Sequence, residues 1–524
     1  MRCTIIPIRS SLAVIFSILL HQSLPASEIS PYLPLDHWAY VYIDVLQERG
    51  VFPDLHRSIK PYKRAELLGA VDAALLKGAL LTKVERSWLR LIRDELQMLM
   101  GRKEGGLSVW TEGKFSAKRL RWNDGQEEFD SDYFAGLEFS IKFPHATLLH
   151  RTVIDQNLID DPFYRGRKDI DIAAATEDAY LMVEASKATL FIGRTRRNLG
   201  PSPQSLLVSN NASSFDQIFF ELDFGKVNFS FLTARLDDMH EEDLSPASES
   251  EDMDGIPFQR YLSMHRLDVR PIPRLEIGIF EAVTYGGKGR GLDFAFTNPF
   301  SLYFVVENAS NKQANSFIGF DAYYRAGDNV GFFGQLLIDD VKLSLFGKHI
   351  FWGDEVEPNE FAYLVGGEFT DPFDLKDTRV SAIYTKVTNY TYNSINAFER
   401  YTYEGKTLGP PEGNDFDRLE LSWLFAPRED LLLESAYTRV RRGEGSVSAQ
   451  FPGTFETSDF PFPSGVVETT DIITLRARYQ SGPHWFVDGR IGYERKENYL
   501  NISGNTSDMP RFEFVLGVQW KKLI

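Results

Sequence analysis

The chain has 524 residues, 57 Lys+Arg against 74 Asp+Glu for a formal net charge of −17, and a single cysteine, Cys3. Length admits several ordinary domains, or one large closed sheet with an appendage. So acidic a chain repels nucleic acid, and a lone cysteine excludes a disulfide framework.

The first element reads as a leader. Arg2 and Arg9 make a basic start, Ser11–Leu20 is the apolar run SLAVIFSILL, and Leu24-Pro25-Ala26 supplies a small residue for cleavage. The run is too short for a membrane helix, so residues 1–26 are expected to be a secretory signal. Cys3 lies inside it and is no lipid-attachment cysteine. Beyond it no stretch holds the ~20 apolar residues of a membrane helix. The chain is therefore either soluble outside the cytoplasm or spans a membrane as a β-barrel.

Residues 36–101 carry helical period. Asp36 is placed to cap a helix bearing Trp38, Tyr42, Val45 and Leu46, stopped at Gly50. Pro61 suits a first turn before Leu67, Leu68, Val71 and Leu75, stopped at Gly78. Thr82 and Glu85 form a capping box ahead of Trp88, Leu91, Ile92, Leu96 and Leu99, with Gly101 as the stop. Three such helices make a small bundle, which sets a helical domain at 27–103.

From Leu107 the period becomes two. Leu419, Leu421 and Trp423 alternate with Glu420 and Ser422, and Ile473, Leu475 and Ala477 with Thr474 and Arg476. Phe512, Phe514, Leu516, Val518 and Trp520 share one face of the last strand. Strands are expected near 107–119, 131–142, 146–156, 176–186, 189–196, 214–223, 227–236, 259–270 and 274–284. The second half adds 315–326, 330–338, 363–372, 379–388, 417–426, 431–441, 470–480, 485–495 and 511–520. Alternate connections are turn-like (FPH, FGK, PIP, GDN, PRED, SGPH) and the others long. Short–long alternation with an even strand count, about eighteen, is what a transmembrane barrel requires. Both ends fall on the short-turn side, which puts the helical bundle and both termini in the periplasm and residues 104–524 in the outer membrane. Phe300–Val306 and Val341–Gly347 would break the parity as strands and are read as structured parts of long loops. The chain ends KKLI after Trp520, where outer-membrane barrels usually finish on an aromatic.

Long loops hold the candidate chemistry. Gly200, Pro201 and Pro203 force turns, while Leu206, Leu207 and Val208 need an apolar partner that water does not supply. That loop is expected to fold back into the barrel mouth, with Arg194, Arg196 and Arg197 at the rim or inside. Thr388–Asn393, TNYTYN, sets Tyr390 and Tyr392 beside Asn389 and Asn393 where a strand meets an external loop. Aromatic faces with nearby amides suit sugar rings; an interfacial aromatic girdle is the other reading. Asp237–Gly255 is strongly acidic without calcium-loop spacing and reads as a solvated loop, or as a bridge to lipopolysaccharide through divalent ions. Arg266, Asp268, Arg270, Arg274 and Glu276 fit an internal charge ladder. Gly286–Gly291 lacks the setting of a phosphate loop. No HExxH or GxSxG occurs, and nothing pairs His240, His265 or His349 with a nucleophile. No enzyme, cofactor or metal is expected.

The words LPLDHWAYVYIDVLQERGVFPD and IKPYKRAELL resemble an S-layer-homology module, which holds cell-wall polymers. They are also similar to the N-terminal segment of the Wzi-like outer-membrane family. GRTRRNLGPSPQSLLVSNNASSF, HRLDVRPIPRLEIGIFEAV, GQLLIDD, YLVGGEFTDP and YTKVTNYTYN resemble successive blocks of that capsule-assembly family. The resemblance implies an eighteen-stranded barrel with a periplasmic helical segment. It also implies attachment of capsular polysaccharide to the cell surface as a lectin. Where the family commonly has Trp-Gly-Pro-Gly, this chain has Leu199-Gly200-Pro201-Ser202, so a tryptophan for stacking is missing. The saccharide-binding candidates are Arg194, Arg196, Arg197, Asn210, Asn211, Asn389, Tyr390, Tyr392 and Asn393. Expected partners are capsular or extracellular polysaccharide, outer-membrane lipid and lipopolysaccharide, the barrel-insertion machinery and, through the helices, peptidoglycan. A monomer is expected. A porin with a wall-tethering module is the alternative; lumen crowding separates the two.

Overall fold

The computed structural model describes residues 29–78, 81–100, 107–121, 127–170, 172–240, 256–310, 312–340, 344–345, 348–349, 358–452, 455 and 460–523. The leader at 1–26 and the acidic run from 241 to 255 lie outside them.

Alternating apolar and polar positions fold into eighteen strands that close into one antiparallel barrel. They are β1 (Leu107–Arg121), β2 (Glu127–Lys142), β3 (Ala146–Asp155), β4 (Ala174–Ala185), β5 (Ala188–Thr195) and β6 (Phe215–Asp223). Next come β7 (Val227–Arg235), β8 (Phe258–Ile272), β9 (Leu275–Lys288), β10 (Asn315–Arg325), β11 (Val330–Asp340) and β12 (Glu360–Thr370). The last are β13 (Thr378–Val387), β14 (Phe416–Arg428), β15 (Leu431–Arg442), β16 (Glu468–Gly482), β17 (Trp485–Glu497) and β18 (Thr506–Leu523). β1 bonds to β2 on one side and β18 on the other, so no edge is left unpaired. Each expected strand is present, and the connections alternate short and long as anticipated.

The two faces sort as a membrane barrel requires. Leu421 and Trp423 point outward, 42% and 43% exposed, while Ser422 and Leu424 between and beyond them are buried inside. Ile473, Leu475, Phe512 and Phe514 continue the outward apolar belt. Arg266 lies inside, bonded to Asp268 and, at 2.6 and 2.8 Å, to Asp321, so one step of the expected charge ladder is present. Arg270 instead donates to the carbonyls of Pro53 and Gly225, Arg274 pairs with Asp328 at the turn, and Glu276 accepts the backbone N–H groups of Arg57 and Ser58.

Three helices precede the barrel: α1 (Tyr40–Glu48), α2 (Arg64–Leu76) and α3 (Lys83–Met100). The Thr82–Glu85 capping box forms reciprocally, at 2.7 and 3.1 Å. Two other starts differ from expectation. α1 begins after Ala39, and Asp36 instead receives the Arg151 guanidinium of β3 at 2.6 Å. Pro61 lies outside α2, whose Ala65 N–H donates to Ser30 Oγ at 2.7 Å. In both cases a distant partner outcompetes the local cap.

The helical region enters the short-turn half of the lumen. Its core residues, among them Trp38, Leu46, Trp88 and Leu96, share one cluster with inward Trp110, Leu424, Leu432 and Phe486. Buried ion pairs fix its seating: Arg64 to Glu138 of β2 at 2.8 and 2.7 Å, and Arg57 to Glu368 of β12 at 2.8 Å twice. Arg49 reaches Asp371, and Lys63 reaches Glu184 of β4. Such pairs recover little beyond their desolvation, but each misplaced partner would be a buried bare charge. They therefore specify position more than they add stability.

Candidate functional site: the long-loop end of the barrel

Loops fold into the opposite half of the lumen. Residues 196–214 fold inward, and Leu206, Leu207 and Val208 are fully buried. Gly200 N–H donates to Ser58 O at 2.9 Å, and Leu199 and Asn198 pair antiparallel with Ile59 and Lys60 of the helical region. Gln335 of β11 accepts the Leu206 N–H at 2.7 Å. From above, the loop 388–415 locks down: Tyr392 and Tyr401 donate their hydroxyls to the carbonyls of Leu206 and Leu207 at 2.8 and 2.9 Å. Burial pushes both hydroxyls above the usual tyrosine range, so they stay neutral donors.

A third loop, 443–467, is tied to the second by Asp415. Its carboxylate accepts from Gly445 N–H at 2.9 Å and from Ser464 N–H at 3.0 Å. Beside that anchor Asn389 Nδ2 donates to Ser464 Oγ at 3.4 Å, and its Oδ1 accepts the Tyr390 N–H at 2.8 Å. Tyr390 sits edge-on to Phe451 and Phe455, with centroids 5.3 and 5.4 Å away, and Phe460 packs on Phe455. All four rings are partly exposed. Lys386 lies 3.8 Å over the ring of Phe462. Half-exposed rings edged by amides can pack against the C–H faces of a sugar and bond its hydroxyls.

The nine candidates divide. Asn210 is exposed, and Asn389 and Tyr390 lie at the aromatic cluster. Arg194 binds Asp216 at 3.3 and 3.1 Å and the Tyr403 hydroxyl at 3.3 Å. Arg196 makes a bidentate pair with Glu177 and lines a cavity of about 330 Å³ with Asp36, Lys114, Tyr133 and Phe134. Asn211 donates to Thr407 O at 3.1 Å. Tyr392, Asn393 and Arg197 are buried. Tyr392 staples the inner loop. Asn393 bonds Ala449 O and the Arg400 guanidinium, each at 3.0 Å. Arg197 lies 3.6 Å over the Phe219 ring, holding the loop root to the wall. Sequence reasoning missed Phe451, Phe455 and Phe460; a recurrence of Phe among Gly and Pro in FPGTFETSDFPFP was the available signal. Among the described residues no group of three His, Cys, Asp or Glu is placed to hold a metal.

The family model for capsule assembly protein Wzi matches residues 118–509. The chain belongs to the Wzi capsule assembly family. The solved structure of Escherichia coli Wzi is described as an outer membrane, carbohydrate-binding β-barrel involved in group 1 capsule assembly. It matches with a TM-score of 0.61 at 16% identity, over 93% of this chain and 99% of that one. Pseudomonas aeruginosa OprD matches at 10% identity over 80% and 97% with a TM-score of 0.44, and Acinetobacter baumannii OccAB4 at 8% over 80% and 99% with 0.44. No curated protein matches by sequence. This chain is an outer-membrane barrel with a helical region ahead of its strands.

Proposed function

We propose that this Wzi-family barrel holds capsular or extracellular polysaccharide at the cell surface, as a binding protein without catalysis. The observation that carries the reading is the long-loop end itself: three interlocked loops fold over the lumen and present Tyr390, Phe451, Phe455 and Phe460 beside Asn389. A porin needs an open path, and here the helical region and the inner loop meet at the Ile59–Leu199 pairing. The short turns and both termini face the periplasm in this reading, and the loops face outward. Outer-membrane lipopolysaccharide surrounds the belt, and the barrel-insertion machinery delivers the protein as a monomer. α3 leaves Arg86, Arg90, Asp94 and Gln97 exposed, a surface on which peptidoglycan contact would rest. The deciding experiment compares cell-bound with shed polysaccharide in a strain lacking the protein. Full retention, or no polymer made at all, defeats the proposal.

A further inference from the structure

The loop 289–314 between β9 and β10 follows a different course from the inward-folded 196–214 loop. On β9, Phe280 and Ala282 join the luminal core, so Ile279, Glu281, Val283 and Tyr285 face outward. The loop comes down over that outer face. Its helix, Tyr303–Ser310, packs there: Tyr261, Val283, Tyr285, Phe296 and Tyr303 form a separate core outside the barrel wall. Phe304 N–H donates to Glu281 Oε1 at 2.7 Å, and Ser316 Oγ of β10 donates to Glu307 Oε2 at 2.5 Å. Phe300 stacks on outward Phe229 of β7, centroids 5.6 Å apart and planes 10° apart.

The depth of this contact follows from the register. Beyond the bulged Ile272–Leu275 pair at the short turn, the outward rungs of β8 and β9 are Val269–Ile277, Leu267–Ile279, His265–Glu281 and Ser263–Val283. Beyond Thr378–Phe425 on the same side, those of β13 and β14 are Val380–Trp423, Ala382–Leu421, Tyr384–Leu419 and Lys386–Asp417. The third rung is apolar or aromatic on β13–β14 but polar on β8–β9, where His265 Nε2 lies 3.2 Å from a Glu281 carboxylate oxygen. Phe229 pairs with Leu267, so Phe300 reaches the second rung, inside the apolar belt. A carboxyl group and an imidazole facing hydrocarbon are costly. The loop covers them and turns Phe294, Phe300 and Leu302 outward, 90%, 77% and 61% exposed, continuous with exposed Leu267, Ile279 and Phe320.

We propose that residues 292–305 are a membrane-seated segment whose partner is the acyl chains of outer-membrane lipid. It rebuilds the apolar belt over a polar patch of the wall. This goes beyond polysaccharide retention, which concerns the opposite surface of the loops.

The test uses the full chain carrying Cys3→Ser, with a nitroxide attached at Phe300→Cys or Phe294→Cys, in phosphatidylcholine vesicles and in native outer membranes. Leu421→Cys marks the belt and Asn210→Cys the aqueous loops. The expected result is collision with oxygen exceeding collision with a water-soluble nickel chelate at 294 and 300, as at 421, in both settings. Nickel-dominated collision, as at 210, overturns the proposal. So does protection from both reagents in native membranes alone, which would mean that a protein covers the segment. Phe294 projects free of the packed core, so F294C carries the test if F300C fails to insert.

Discussion

The Tyr392 hydroxyl donates to the Leu206 carbonyl at 2.8 Å, joining two long loops inside the barrel. The tyrosine ring also stacks on Tyr401, 5.5 Å away, and is fully buried. A residue in this position holds two loops together.

Tyr392→Phe therefore leaves the Leu206 carbonyl buried without its donor. The expected cost is about 1–3 kcal/mol of barrel stability, read as a lower midpoint in urea unfolding. Cell-bound polysaccharide should stay at the wild-type level. Polymer shedding at unchanged stability would place Tyr392 in the binding surface after all.

Arg64 and Glu138 tie α2 to β2 in a pair that is almost wholly buried. Removing one partner strands the other charge, so Arg64→Ala should cost about 3–5 kcal/mol. The loss falls on the seating of the helical region. In planar bilayers the wild-type protein should pass little or no current, and the variant should show intermittent openings. A large steady wild-type conductance would favour the porin reading.

How far the sequence revealed this arrangement depends on where each signal lives. Strands such as Leu419–Trp423 were legible because lipid outside and polar lumen inside impose period two on neighbouring residues. The capping box at Thr82–Glu85 was legible for the same reason: both partners are local. The seating of the helices was not, because its determinants pair Arg49 with Asp371 and Arg57 with Glu368. Tyr390 and Tyr392 show the limit most sharply. Both take left-handed backbone, at φ 70° and 71°, so the alternation of a strand no longer says which side each faces. One ring is at the surface cluster and the other is sealed inside. Phe451, Phe455 and Phe460 sit among prolines and glycines with no period to read.

The belt itself is testable at Leu421. An arginine there should cost about 2–4 kcal/mol if the position lies near the midplane, measured by the unfolding free energy in vesicles. In intact membranes, cysteines at 421 and 423 should resist water-soluble thiol reagents. Ready labelling at both positions would contradict the outward assignment of this face.

The binding surface is tested by emptying it. A polymer that spans several barrels engages many weak sites at once, so avidity can exceed a single-site affinity by about 10²–10⁴ without new contacts. Retention should then depend steeply on each platform. Tyr390→Ala with Phe455→Ala removes two partly exposed rings of the cluster and leaves the Asp415 anchor intact. The double variant should insert normally, shown by its heat-modifiable gel mobility, yet release polymer into the medium without lowering total synthesis. Purified wild-type protein should bind long chains strongly and single repeat units hardly at all, because one ring and one amide give only a weak contact. If the double variant holds its polymer as the wild type does, these rings belong to an interfacial girdle. The search would then move to exposed Asn210 and the Arg196 cavity.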